Sequence, residues 1–282
     1  MIFPENIGSY LSIDETALSY DELYTIVTNK AARGKKGAVV AIIKGTSADT
    51  VIEHLLKISI SKRNKVKEIT LDMAANMELI AKRCFAKASL VTDRFHVQKL
   101  AIEALQDMRI AYRWQAIDDE NTEIELSKEL KKAYKPLVLD NGDTHKQLLA
   151  RSRYLLFKAE NKWTPSQRLR AEVLFKYYPN LETAYKITMQ LKGIYEHSKD
   201  KTVALTRLAR WYETVEKAGF KTFATVKRSI SAHYRTILNY FDNRSTNASA
   251  ESFNAKIKAF RATLRGVKNI TYFLFRLTNI YA

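Results

Sequence analysis

Three short apolar runs in the first hundred residues each end in an aspartate. The runs are LSID, ending at Asp14, ITLD, ending at Asp72, and LVTD, ending at Asp93. A carboxylate at the end of a buried strand is costly unless it is hydrogen-bonded, caps a helix or binds a cation. Each aspartate alone is explained by a turn or a cap, and Asp93 directly precedes a helical pattern. Three together favour a shared site, and carboxylates without a partnering cysteine suit Mg²⁺ or Mn²⁺.

The same region alternates between strand and helix patterns. Five runs are strand-like: residues 7–14, 22–28, 37–43, 66–72 and 89–93. Helical spacing of apolar residues follows Ser47, a candidate helix cap, and returns over residues 77–85. A glycine-containing turn between the second and third runs indicates a hairpin. The order predicts an α/β core with five strands.

The sequence pattern changes after His96. Residues 97–239 show helix-period patterns, with prolines and glycines between them or at their ends. A polar break follows at residues 243–247. A helix is then predicted from near Ser249 past Phe260, and a last helix over residues 270–280. This long stretch therefore predicts a mainly helical region after the α/β part.

The charge balance favours a polyanionic partner. Lysine and arginine outnumber aspartate and glutamate by 47 to 30, which gives a net charge of +17. Residues 221–282 hold eleven basic side chains against two acidic ones, whereas residues 118–129 are acidic. Such a balance is typical of proteins that bind nucleic acid. One cysteine excludes a disulfide framework or a cysteine-rich zinc module within the chain.

The chain shows no membrane signal. No apolar run approaches the roughly 18 uncharged residues that a membrane span needs, and the first residues do not have the pattern of a signal peptide. A cytoplasmic protein is therefore expected.

Three longer strings resemble the insertion-sequence transposase family called ISL-three, of the DDE superfamily. LSIDETAL resembles the first-strand motif of the family, and ITLDMA with SLVTDRFHVQKLAIEALQDMR resembles its most recognisable block. STNASAESFNAKIKAFRATLRGVKN, at residues 245–269, resembles the closing block. The DRFHV and E-x-x-N-x-x-I-K strings are fairly specific in combination, and the matches are spread over most of the chain.

The resemblance implies a ribonuclease H-like catalytic core with a mixed five-stranded sheet and a large all-helical insertion domain. The expected domains are residues 1–96 for the first part of the core, 97–244 for the insertion and 245–282 for the helices that carry the catalytic glutamate. The family pattern implies Asp14, Asp72 and Glu251 as the catalytic triad. These residues would also be the ligands of two Mg²⁺ or Mn²⁺ ions.

The resemblance also places other residues near the site. Asp93 and His96 match a D-x-x-H signature, and Asn254 and Lys258 share a helix face with Glu251. Asn254 could steady Glu251 or a phosphate. Five basic residues are expected to contact DNA: Lys256, Lys258, Arg261, Arg265 and Lys268.

Other interpretations of these residues stay open. Asp72 and Asp93 with Glu251 form a second candidate triad. Glu251 is also explained as an acid in the first turn of a helix capped by Ser249. His96 is equally explained as a packed histidine at a helix start.

The resemblance implies a DDE transposase, or its catalytic half, that cleaves and joins DNA at insertion-sequence ends. Its expected partners are double-stranded transposon ends and target DNA, on which it would act as a homodimer in the bacterial cytoplasm, at the nucleoid. The alternatives are a non-catalytic, truncated DNA-binding remnant and a ribonuclease H-like nuclease without strand transfer. Magnesium-dependent cleavage would separate the enzymes from the remnant.

Members of the family usually carry an N-terminal zinc-binding segment and a helix-turn-helix region that read the transposon ends. This chain begins almost at the first catalytic strand. We therefore expect a truncated copy, a separate end-binding polypeptide, or DNA recognition through the insertion domain.

Overall fold

A mixed sheet is the centre of the α/β part of the chain. The computed structural model describes residues 1–19, 22–263, 267 and 269–282. Within these residues the sheet has five strands: β1 (Tyr10–Ser19), β2 (Glu22–Asn29), β3 (Val39–Lys44), β4 (Glu68–Leu71) and β5 (Ser89–Thr92). Their order across the sheet is β3-β2-β1-β4-β5. Strand β2 runs antiparallel to both β1 and β3, whereas β4 runs parallel to both β1 and β5. The predicted α/β class with a mixed five-stranded sheet is confirmed.

Strand β1 is longer than predicted. The prediction ended the strand at Asp14, but β1 continues to Ser19, so Asp14 lies inside it. The reason is the hairpin with β2, in which Asp14 lies opposite Ile26 and the pairing continues to Ser19 opposite Glu22. The polar composition of ETALS did not indicate this backbone pairing. Asp72 and Asp93 follow the ends of their strands directly, as predicted.

Helices make up most of the remaining structure. They are α1 (Ala48–Leu56), α2 (Ile60–Arg63), α3 (Ala75–Cys84), α4 (Arg94–Glu129), α5 (His145–Arg151), α6 (Pro165–Tyr177), α7 (Pro179–His197), α8 (Lys201–Ala218), α9 (Lys221–Ala232), α10 (Tyr234–Leu238), α11 (Tyr240–Asn243), α12 (Ala248–Thr263) and α13 (Ile270–Tyr281). Short 3-10 helices cover Pro4–Asn6, Lys30–Ala32, Leu155–Phe157 and Glu160–Lys162. None of the helices in the described part of the chain is both long and apolar enough to cross a bilayer.

The chain divides into two compact units. Unit 1 consists of Met1–His96 and His233–Ala282, and unit 2 consists of Val97–Ala232. Unit 1 therefore contains the whole sheet together with α1–α3 and α10–α13. Unit 2, as far as it is described, is helical.

The two faces of the sheet differ because neighbouring residues on a strand point to opposite sides. On β1, β4 and β5 the apolar face carries five buried residues: Leu11, Ile13, Ile69, Leu71 and Leu90. They pack with apolar residues of α1 and α3, including the buried Cys84. The polar face of the same strands carries Ser12, Asp14, Glu68, Thr70 and Asp72. Over β2 and β3 that side is again apolar, and it packs with α12 and α13.

Unit 2 has its own core. Trp211 is fully buried and its indole N–H donates to the Ile187 carbonyl at 2.9 Å. The buried Asp143 forms ion pairs with Arg151 and Arg170. The buried carboxylate is thus matched by two cations, as burial of charge requires.

Candidate active site

Three aspartates lie at one level of the sheet in unit 1. The parallel register pairs Ser12 of β1 with Thr70 of β4, and Thr70 with Val91 of β5. Two residues further along each strand are Asp14, Asp72 and Asp93. Because residues two apart on a strand share a face, continuing this register places all three aspartates on the polar face.

Asp14 is half-buried and its two oxygens already have partners. Oδ1 accepts the backbone N–H of Glu15 at 2.9 Å, and Oδ2 accepts the amide of Asn254 at 2.7 Å. Burial raises the pKa of Asp14 and the negative charge of Asp72 adds to the rise, while the Glu15 amide, the charge of His96 and the Asn254 hydrogen bond oppose it. Ionisation of Asp14 therefore lowers the stability of the folded chain.

Asp72 lies between β4 and α3. Its Oδ1 accepts the backbone N–H of Ala74 at 2.8 Å, in the turn that starts α3. Its side chain is half-buried, in contrast to that of Asp93. Asp72 thus keeps some access to solvent while its orientation is set by the turn.

The buried Asp93 and the half-buried His96 face each other at the start of α4. Asp93 is 2% exposed, and its Oδ1 accepts the backbone N–H of Asn247 at 3.3 Å. Its Oδ2 lies 3.5 Å from His96 Nδ1, and neither of these two atoms has a hydrogen-bond partner among the described residues. The Asp93 carboxylate raises the pKa of His96; burial opposes this, and the charges of Asp72 and Asp14 reinforce it. The D-x-x-H residues therefore lie beside the other carboxylates.

Glu251 belongs to the same group of charges. It lies in the first turn of α12 and its side chain is exposed. Partial burial raises the pKa of Glu251, as do the negative charges of Asp93 and Asp14, whereas His96 and Arg94 lower it. The structure thus gathers Glu251 with the aspartates, although it lies 179 residues after Asp72 in the sequence.

The predicted role of Asn254 as a partner of Glu251 differs from what the structure shows. Asn254 shares α12 with Glu251, but its amide donates to Asp14. It thereby joins the helix that carries the glutamate to the strand that carries the first aspartate.

A buried hydrogen-bond network holds the chain that leads into α12. Asn247 is 1% exposed and Ser12 is fully buried, and the Ser12 hydroxyl donates to the Asn247 side-chain oxygen. The backbone N–H of Asn247 bonds to Asp93. One residue thus connects β1, the end of β5 and the start of the Glu251 helix.

A second buried network lies on the same face, closer to the start of the strands. Glu68 is 2% exposed and forms an ion pair with Lys30 at 3.3 Å. Its other oxygen accepts the Asn243 amide at 3.1 Å, and Lys30 also donates to Thr70. Burial lowers the pKa of Lys30, while the charges of Glu68 and Asp93 oppose that shift.

Sequence reasoning missed both networks. The available signal was the repeated polar residue at every second position, Ser12 before Asp14 and Glu68 and Thr70 before Asp72. Nothing in the local sequence indicated that Asn243 and Asn247 would bond to these strands.

The predicted DNA-contacting residues lie in different surroundings. Lys256 donates to the Gly34 carbonyl at 2.6 Å and lies 5.6 Å from the centre of the Tyr281 ring. Lys258 is exposed and Arg261 is half-buried on α12. The remaining two predicted contacts, Arg265 and Lys268, lie outside the described residues.

The donor set is chemically suited to a hard divalent cation. Asp14, Asp72 and Glu251 offer carboxylate oxygens and no sulfur, which are the ligands that Mg²⁺ and Mn²⁺ prefer. In the described part of the chain these side chains are not arranged as a ready group of three or more metal ligands. Burial, and to a smaller extent neighbouring negative charge, raises the pKa of both Asp14 and Glu251. A bound cation would stabilise the ionised form of both carboxylates, so the residues fit the metal.

Comparisons with known proteins agree on one family. A family model described as Transposase, of the ISL-three group of DDE transposases, matches residues 11–277. The transposase for insertion sequence element IS1001 of Bordetella parapertussis is 22% identical over 272 residues, which cover 95% of this chain and 60% of that protein. The chain therefore spans about 60% of the length of this curated relative. No solved structure matched.

Proposed function

The chain belongs to the ISL-three family of DDE transposases, and on that premise we propose that it uses divalent metal ions to cleave DNA at insertion-sequence ends and to join those ends to target DNA. The observation that best supports the proposal is the proximity of Glu251 on α12 to the three aspartates, Asp14, Asp72 and Asp93, of the polar face of the sheet. Double-stranded DNA is the proposed substrate, and a homodimer on paired ends, with or without a separate end-binding polypeptide, is the proposed assembly.

The strand order supports a ribonuclease H-like core as part of this proposal. In that fold the first and fourth strands supply two of the catalytic carboxylates, and here β1 and β4 are parallel neighbours. In the sequence, unit 2 lies between β5 and α12, the helix that carries Glu251. We assign it as the all-helical insertion domain.

We assign Asp14, Asp72 and Glu251 as the residues that would hold the metal ions. Asp93 is less suited to this role because it is 2% exposed, whereas Asp14 and Asp72 are half-buried. A metal that acts on DNA needs open positions for the substrate, and half-buried Asp72 leaves more room for them.

When bound, divalent ions would activate the attacking oxygen and neutralise charge on the phosphate and the leaving oxygen. The chain's own residues would prepare the site. Asn254 fixes the orientation of Asp14 through its hydrogen bond to Oδ2. His96 offsets part of the repulsion among the carboxylates, because its positive form lowers the pKa of both Asp14 and Glu251.

The proposal is tested by cleavage of a labelled duplex taken from DNA that flanks the gene, in Mg²⁺ or Mn²⁺. Any polypeptide encoded just upstream is added as a component. We expect Asp14→Asn, Asp72→Asn and Glu251→Gln each to lose roughly a thousandfold or more of the cleavage rate while still binding the duplex. Glu53→Gln, which changes an exposed carboxylate of α1 that is paired with Lys57, is the matched control and should keep cleaving.

The outcomes separate the alternatives. Loss of cleavage in Asp93→Asn with activity kept in Asp14→Asn would replace Asp14 by Asp93 in the assignment. Cleavage without joining to target DNA would indicate a nuclease. Binding without any metal-dependent cleavage by the unmodified chain would overturn the proposal in favour of a DNA-binding remnant.

A further inference from the structure

The turn between β2 and β3 concentrates positive charge at one edge of unit 1. This basic turn, residues 30–37, has the sequence KAARGKKG. Lys30 is used internally in the ion pair with Glu68. Arg33, Lys35 and Lys36 are exposed. From the sequence alone, this segment indicated only a hairpin.

The backbone of the basic turn is well ordered by its own hydrogen bonds. The N–H groups of Arg33, Lys35 and Ala38 donate to the carbonyls of Lys30, Ala32 and Lys35 at 3.0–3.1 Å. Arg33 has a φ of 50° and Gly34 a φ of 69°. A left-handed conformation is unfavourable for a residue with a side chain, so the surrounding contacts must hold Arg33 there. The basic side chains thus project from a defined scaffold.

The basic turn is attached to the helices that follow the proposed site. Lys256 of α12 donates to the Gly34 carbonyl at 2.6 Å, and Ala38 N–H donates to the Tyr281 carbonyl at the end of α13 at 2.9 Å. A Cβ atom at Gly34 would lie 3.0 Å from Lys256 Nζ, so glycine permits this close approach. Lys256 lies five residues after Glu251 on the same helix. The turn and the proposed site therefore belong to one connected part of unit 1.

The exposed charges of the basic turn are not neutralised locally. The ion pairs formed by flanking lysines join Lys30 to Glu68 and Lys44 to Glu22. Within the described residues, Arg33, Lys35 and Lys36 have no carboxylate partner. Exposed, unpaired cations on an ordered backbone are suited to phosphate oxygens, which lysine and arginine contact without reading the base sequence.

We propose that Arg33, Lys35 and Lys36 bind the phosphate backbone of the DNA that enters the proposed site. Lys256, which was expected to contact DNA itself, acts here by holding the turn against α12. The inference rests on the proposed action on DNA. It adds a contact surface outside the C-terminal basic residues.

The test measures the affinity of the whole chain for a fluorescein-labelled DNA duplex of arbitrary sequence, by fluorescence anisotropy over a series of salt concentrations in EDTA. The test variant combines Arg33→Gln, Lys35→Gln and Lys36→Gln. The control combines Lys57→Gln, Lys82→Gln and Lys87→Gln, which removes the same charge from exposed positions on or just after α1 and α3. Thermal unfolding of both variants checks that they fold like the unmodified chain.

Affinity falls as salt concentration rises, and each phosphate contact adds about 0.9 to the steepness of the plot of log affinity against log salt concentration. We expect the steepness to decrease by about 2.7 in the test variant, for three lost contacts, and by less than about 1 in the control. Equal slopes in the two variants would overturn the inference, as would an unchanged slope in the test variant.

The result is separable from that of the cleavage experiment. An unmodified chain that binds no duplex would overturn both proposals. A chain that shows the expected slopes but no metal-dependent cleavage would lose the proposed chemistry and keep the DNA contact. Cleavage together with equal slopes would keep the chemistry and remove the contact.

Discussion

Strands β1, β4 and β5 present two different faces built from alternate residues. Leu11 and Ile69 pack against α1 and α3 with nothing polar beside them, whereas Ser12 and Thr70, their immediate neighbours, are equally buried but form hydrogen bonds. Burial of the apolar face over a broad area stabilises the fold. The polar face gains little net free energy, because its bonds mainly replace bonds to water.

The difference shows how one short strand can serve stability and chemistry together. A polar face is tolerated where its groups have partners, since an unmatched buried group is costly. Its hydrogen bonds are directional, so they specify where Asn247 and Asn254 lie. Apolar contacts would fix these positions less sharply. We therefore expect substitutions on the apolar face to change stability most, and those on the polar face to change the geometry of the proposed site.

The largest stability effect is expected from Leu11→Ala on the apolar face. Leu11 is fully buried, and such truncations cost about 2–5 kcal/mol of the free energy of unfolding. Urea denaturation measures the loss. Labelling of Cys84, whose pKa burial raises to about 11, reports opening of the same core. Leu56→Ala, at a position that is 47% exposed, is the control and should change the stability by less than about 0.5 kcal/mol. A loss below about 1 kcal/mol in Leu11→Ala would contradict this account of the face.

A smaller effect is expected from Asn247→Ala on the polar face. The change leaves the buried Ser12 hydroxyl without its acceptor, which costs about 1–3 kcal/mol, but keeps the backbone bond to Asp93. Cleavage should fall while affinity for duplex DNA stays the same, since α12 is less firmly held. Ser12→Ala and the double variant complete a cycle with an expected coupling of about 0.5–3 kcal/mol. Additive losses would mean that the two residues do not act together.

The smallest effect concerns the pH dependence of stability in Asp14→Asn, measured by urea denaturation with a chelator present. The pKa of Asp14 is raised on folding, so the folded state binds the proton more tightly than the unfolded state. The wild-type residue thus contributes most below pH 3.8, its unfolded value, and that contribution is lost as the pH rises through the folded pKa. The stability of Asp14→Asn, relative to that of the unmodified chain, should therefore rise over this pH range.

Added Mg²⁺ should reverse that trend. Ligand that binds only the folded state stabilises it by mass action, and asparagine would bind the ion less well than the carboxylate. The unmodified chain should therefore gain more stability from Mg²⁺ near neutral pH than Asp14→Asn. A stability difference between the two chains that does not change with pH would contradict the proposed role of Asp14. An equal gain in stability from Mg²⁺ in both chains would contradict it as well.

The sequence predicted the elements better than it predicted their partners. Apolar, β-branched runs located the strands, and the end of β4 next to Asp72 was expected because the apolar run stops there. The extension of β1 beyond Asp14 was missed, since it depends on backbone pairing with β2. The bonds from Asn247 to Ser12 and Asp93 were missed for a similar reason, because they join residues far apart in the chain.

The site residues show the same limit. Asp14, Asp72 and Glu251 were singled out from local strings and a family resemblance, and the structure brings them into one group of charges. The hydrogen bond from Asn254 to Asp14 could not be read from helix spacing, which relates residues on one helix and says nothing about the strand beneath it.

The bond between Asn247 and Asp93 spans 154 residues of chain, and this separation has a consequence for synthesis on the ribosome. At about 5–20 residues per second, roughly 8–30 seconds pass between the making of one partner and the other. Val97–Ala232, the whole of unit 2, is translated in that interval. A nascent chain thus has time to fold its sheet and its helical unit while the polar face still lacks Glu251. The proposed cleavage and joining of DNA can begin only after α12 has left the ribosomal exit tunnel.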